Sequence, residues 1–88
     1  NAMNNLAWLY CENNVNIKEA IELAKKACEI EQYNDSYWDT LAEAYFLNKE
    51  YEKAIEAINR AIKINPNYTY LQQQLEKIKR VKEKMENK

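Results

Sequence analysis

Trp38-x-x-Leu41-Ala42-x-x-Tyr45, followed by Ala54-x-x-x-Ile58-x-x-Ala61 and then Pro66, is the stretch that decides the fold. Its large and small apolar residues recur every three or four positions, which places them on one face of a helix. Pro66 has no amide to give and pushes Asn65 out of the helical region, so the second run stops there. The spacing predicts two antiparallel helices, about Asp35 to Leu47 and about Tyr51 to Ile64. Ala42 marks where they approach too closely for a larger side chain.

The same pattern recurs upstream. Subtracting 34 from Ala54, Ile55, Ala61 and Ile64 gives Ala20, Ile21, Ala27 and Ile30, so the second helix of the pair is repeated. The first helix is not in step at 34, because Ala42 would fall on Trp8. Subtracting 35 places Leu6, Ala7 and Tyr10 under Leu41, Ala42 and Tyr45 and restores the pattern. One residue is therefore inserted between the two upstream helices, and Asn13-Asn14-Val15-Asn16, rich in turn formers, is the place for it. The first helix is expected from about Met3 to Glu12. The second follows Asn16, with Asn16 and Glu19 spaced as a capping box, and ends near Glu31. Asn34-Asp35-Ser36 is a cap for the third helix. Thr69-x-x-Gln72 resembles another capping box and opens a fifth helix with the stripe Leu71, Leu75, Ile78, Val81 and Met85.

Composition agrees with an all-α chain. The 88 residues include no Gly and one Pro, and they are rich in residues that lose little freedom in a helix. A chain this short leaves little room for a deep cavity beside its own core. No apolar run approaches the roughly 20 residues needed to span a bilayer. Net charge is −1, divided as −5 over residues 1–46 (three Lys/Arg, eight Asp/Glu) and +4 over residues 47–88 (ten and six). That asymmetry can steer a partner, and it also arises from solvated helix faces with no role. Cys11 and Cys28 are too few for a zinc site in a chain without His, and read as small buried residues of a reduced compartment, taken as the cytoplasm.

Taken together, the Trp38–Pro66 spacing and its echo upstream resemble the tetratricopeptide repeat, a helix-turn-helix unit of 34 residues. The resemblance runs from about Asn4 to Arg80. It implies antiparallel helix pairs stacked in a right-handed superhelix, an α-solenoid fragment of about five helices. The chain divides into residues 1–2, set aside as a cloning remnant; 3–34, a first repeat that lacks its opening turn and carries the insert; 35–68, a complete second repeat; and 69–88, a C-terminal capping helix. Repeat arrays need such a cap because the last repeat otherwise leaves an apolar face bare. The alternative for the fifth helix is a coiled-coil strand, which fewer than three heptads support poorly.

No constellation for catalysis is present. There is no His to act as a base, no Gly-rich loop to cradle phosphate, and Ser36 has no partner base. The basic tail Lys77, Lys79, Arg80, Lys82 and Lys84 is interrupted by Glu76, Glu83 and Glu86 and lacks stacking aromatics, which argues against nucleic acid. The reading is a non-enzymatic scaffold without cofactor or metal. The resemblance implies a peptide or protein segment bound on the concave side, on Asn4, Trp8 and Cys11, then Asp39, Glu43 and Phe46, then Gln73, Lys77 and Arg80. Chaperone-binding members of the family hold a terminal carboxylate there with Lys and Asn. Asp39 and Glu43 instead point to a ligand carrying Lys or Arg, or an amide-rich one. Trp8 has a second reading as a core residue over Ala24, and Phe46 as packing against Tyr51. The alternative function is self-association through the exposed first repeat, where Leu6, Leu9, Tyr10 and Ile21 lack a preceding repeat to cover them.

Overall fold

The computed structural model describes residues 1–87; Lys88, assigned above to the last segment, lies outside the described residues. Among the described residues there are five helices and no strand: α1 (Ala2–Asn13), α2 (Ile17–Ile30), α3 (Asp35–Leu47), α4 (Tyr51–Ile64) and α5 (Thr69–Glu86). Each helix packs on the one before it. In addition α1 lies against α3, whereas α2 and α4 have no comparable contact. α1 and α3 thus form an inner layer, which α5 joins through the side chain of Lys77 on Glu43 and Phe46, and α2 and α4 form the outer one.

The seams between helices are made of alanine. Ala7, Ala20, Ala24, Ala27, Ala42, Ala44, Ala54 and Ala61 are all almost fully buried, which lets backbones approach closely. Among the described residues only Ile58, Leu71 and Ile78 are large side chains with essentially no exposure. The expected helices 3 and 4 carry the observed bounds, and α5 uses its stripe only in part. Leu71, Leu75 and Ile78 are buried against the second helix pair, while Met85 is 40% exposed, so no continuous seam runs to the helix end.

The helix ends explain the change of register between the two pairs. After α1, Asn14 adopts the left-handed conformation (φ 51°); its amide reaches Cys11 O and that of Val15 reaches Tyr10 O at 3.0 Å. After α3, Lys49 does the same (φ 63°), with its amide on Phe46 O and that of Glu50 on Tyr45 O at 2.9 Å. Both are Schellman ends, and the left-handed residues are 35 apart (49 minus 14). The following helices start at Ile17 and Tyr51, 34 apart (51 minus 17). The extra residue is therefore Asn16, itself left-handed at φ 50°.

That conformation also overturns the capping box expected there. Asn16 makes no side-chain cap bond, and Glu19 instead accepts from the Tyr10 hydroxyl at 3.1 Å. The box at Thr69 and Gln72 is absent as well, because Thr69 is already inside α5 and Tyr68 precedes it without a side-chain cap. Asn34 does cap α3, accepting from the Tyr37 amide at 3.3 Å. Asn1 and Ala2, set aside in the sequence reading, take part in the fold. Ala2 opens α1, and the Asn1 side chain accepts from the Asn4 amide at 2.9 Å while its ammonium donates to the Tyr37 hydroxyl at 2.8 Å.

Candidate binding groove on the inner layer

The sequence-derived groove residues do lie on α1, α3 and α5, yet only some are brought together. The cluster forms where α5 meets α3. Lys77 Nζ donates to Glu43 Oε1 at 3.1 Å and sits 4.7 Å from the centre of the Phe46 ring. Phe46 in turn meets the Tyr51 ring edge-on at 5.8 Å, the packing expected of it as a structural residue. Both ends of the Glu43–Lys77 pair keep some exposure, and such a pair adds on the order of 1 kcal/mol or less. Its role is to position: it fixes the long Lys77 side chain across the inner face.

Asp39, one turn before Glu43 on α3, is half-buried and makes no salt bridge among the described residues. Burial raises its pKa to about 6, and the Glu43 carboxylate adds to the rise, against the Tyr70 hydroxyl and the Lys77 ammonium, which favour the charged form. Tyr70 is pushed up to about 12 by its own burial and by Asp39. Tyr70 was missed in the sequence reading. It lies three residues before Gln73, one helical turn along the same face, and that spacing was the available signal.

The other expected residues are placed differently. Asn4 is buried, and its Oδ1 has no hydrogen-bond partner among the described residues. Cys11 is buried too; burial and the nearby Glu43 charge push its thiol up to about 12, which favours the protonated form. Trp8 is 39% exposed. Gln73 and Arg80 are exposed on α5. Cys28, on the outer side, is likewise a buried thiol raised to about 12, chiefly by burial. No group of three or more His, Cys, Asp or Glu among the described residues is arranged to hold a metal ion, and none of their helices is long and apolar enough to cross a membrane.

Comparison with known sequences agrees with the helical-repeat fold. Residues 40–68 match the sequence profile described as "Tetratricopeptide repeat", from the body of α3 to the residue before α5. The chain is 40% identical over 52 residues to a "TPR repeat-containing protein" of Methanocaldococcus jannaschii, which is 59% of this chain and 9% of that protein. It is 35% identical over 48 residues to anaphase-promoting complex subunit 3 of Schizosaccharomyces pombe, or 54% of this chain and 7% of that one. The matched segment is thus under a tenth of the length of either relative.

Proposed function

We propose that this chain, an all-α tetratricopeptide-repeat protein, is a non-catalytic protein-recognition segment whose inner layer of α1, α3 and α5 holds an extended piece of a partner. Repeats of this kind mediate protein–protein interactions; the choice of face and ligand is our reading. One observation carries it. Asp39 is a half-buried acceptor with no ion pair, flanked by Tyr70 and by the Glu43–Lys77–Phe46 cluster. A half-buried acceptor of this kind gains most from a ligand that brings a hydrogen-bond donor.

Of the two ligand chemistries expected from sequence, the cluster favours the amide-rich one. A ligand ammonium aimed at Glu43 and Phe46 must displace Lys77, which already holds that position. An amide donor to Asp39 displaces nothing. The test is a titration of the ¹⁵N-labelled chain with Asn/Gln-rich, Lys-rich and acidic peptides, repeated with Asp39→Lys after circular dichroism shows it folded. The expected result is preferential binding of the amide-rich peptide, with signals moving at Asp39, Glu43 and Lys77, and loss of binding in the variant. Equal binding of all three peptides, or an unchanged variant, sinks it.

A second reading, self-association, is favoured by one separate observation. Leu6, Leu9 and Val15 are 37%, 52% and 47% exposed at the α1 edge. Light scattering over a dilution series separates the two readings: a mass of twice the chain that persists on dilution supports association, and a monomer removes it.

A further inference from the structure

The outer layer carries a groove that the inner-face reading does not use. It lies between α2 and α4, encloses about 760 Å³, and has Trp38, Leu41 and Tyr45 of α3 as its floor. Trp38 is fixed as a platform, since its indole N–H donates to the Gln32 carbonyl at 2.8 Å. The Arg60 guanidinium lies on that platform, 4.7 Å from the ring centre. The guanidinium carries the planar fork of N–H donors that suits a carboxylate, and none of them is used in a salt bridge among the described residues. Among the described residues neither Arg60 nor Lys25, across the groove on α2, forms a salt bridge. Lys53, by contrast, is already paired with Glu50 at 3.3 Å and lies 5.9 Å from the Tyr45 ring.

We propose that this groove binds an acidic peptide segment of a partner protein, with one aliphatic or aromatic side chain set on the Trp38–Leu41–Tyr45 floor and a carboxylate on Arg60. Charge complementarity selects that occupant. Two cations without a salt bridge among the described residues border an apolar floor, which calls for an apolar anchor flanked by negative charge. Glu29 and Glu56 line the same groove, four residues from Lys25 and Arg60 respectively. They would repel the unbroken charge of a phosphate backbone, whereas a peptide can place neutral residues opposite them. The site is independent of the inner groove, because its ligand reaches it from the other side of the helix layer.

The test is a titration of the whole ¹⁵N-labelled chain with an acetylated, amidated peptide of alternating Glu and Leu around a central Phe. Its Lys-for-Glu counterpart and a short oligothymidine serve as the other two arms. The acidic peptide is expected to shift the Trp38 indole signal and the amides of Cys28, Ala57 and Arg60, and to bind more weakly as salt is raised. Arg60→Gln is expected to weaken it roughly tenfold or more, as is fitting for loss of a charge-assisted pair, with Lys25→Gln having a smaller effect in the same direction. Both positions are exposed, and because Arg60→Gln also gives up the contact with the Trp38 ring, circular dichroism first shows each variant folded. The proposal is overturned if millimolar peptide moves none of these signals, if the Lys peptide binds as well, if the shifts fall on Asp39 and Lys77, or if oligothymidine binds the groove more tightly than the peptide.

Discussion

The two helix pairs carry one pattern in two situations. In the second pair, α3 and α4 lie between α2 on one side and α5 on the other. Ile58 is wholly enclosed there, and Leu41, Ala42 and Ala44 are close to it in burial. In the first pair the residue 34 positions before Ile58 is Ala24, equally buried but small, and α1 leaves Leu6, Trp8 and Leu9 more than a third exposed. The difference teaches that the pattern specifies how helices pair, while the enclosure of a large side chain depends on which helices lie against it, as Leu71 and Ile78 of α5 show at the other end of the stack. The family match, residues 40–68, likewise falls on most of this second pair and the turn after it.

Core truncation gives the widest separation between the two. Ile58→Ala should cost about 3 kcal/mol, since it removes three carbons from a site with no exposure and leaves a cavity between helices already in close contact at their alanines, with little room to collapse further. Leu9→Ala at the α1 edge should cost less than about 0.5 kcal/mol. Urea unfolding of both variants at equal concentration checks this. If Leu9→Ala is as costly as Ile58→Ala, the α1 edge is covered in solution, and the comparison becomes one between two enclosed pairs.

How much of this was legible in the sequence divides along the same physical line. Helix existence and the bounds of α3 and α4 were readable because apolar spacing and Pro66 act locally. The caps were less so. Asn16 and Glu19 have the residue types of a capping box, but the extra residue turns Asn16 left-handed and aims its side chain elsewhere, a consequence of the connection and not of either residue. At the inner groove, the Asp39–Glu43 spacing was visible on one helix, but the Lys77 that neutralises Glu43 comes from 34 residues away. Tyr70 was passed over for the same reason. Pairings across helices depend on side-chain direction, which spacing within a helix leaves open.

Asp39 offers a comparison within the groove, against its neighbour Glu43, which has a cation. The folded protein raises the Asp39 pKa from 3.8 to about 6, so it binds the proton more tightly than the unfolded chain does. Stability from this group is therefore fully present below about pH 4 and is lost as pH rises through 6. Asp39→Asn should stabilise the protein by about 1–2 kcal/mol at pH 7.5, and the gain should shrink across the window from 6 to 4 and vanish below it. Glu43→Gln, which breaks the Lys77 pair, should move stability the other way by less than about 1 kcal/mol. Thermal melts from pH 4 to pH 8 read both effects. An Asp39→Asn gain that does not change with pH would mean that burial of charge is not what the substitution relieves.

The smallest effect tests the turns, where the two pairs are closest to equivalent. Asn14 and Lys49 hold the same left-handed position at the end of α1 and α3, with the same two amide bonds around them. Asparagine visits this region at little cost, whereas a residue with a long side chain bears more of the Cβ clash that penalises it, a cost of roughly 1 kcal/mol. Lys49→Gly should therefore stabilise the chain by about 0.5 kcal/mol after the added entropy of glycine in the unfolded state is subtracted. Asn14→Gly should fall within a few tenths of zero. Lys49 is exposed and makes no side-chain bond among the described residues, so relief of the backbone is the only large term its replacement changes. Denaturation midpoints for the two variants decide the matter: equal gains would show that the turns are strained alike, leaving Asn16 and the bare α1 edge as what separates the first helix pair from the second.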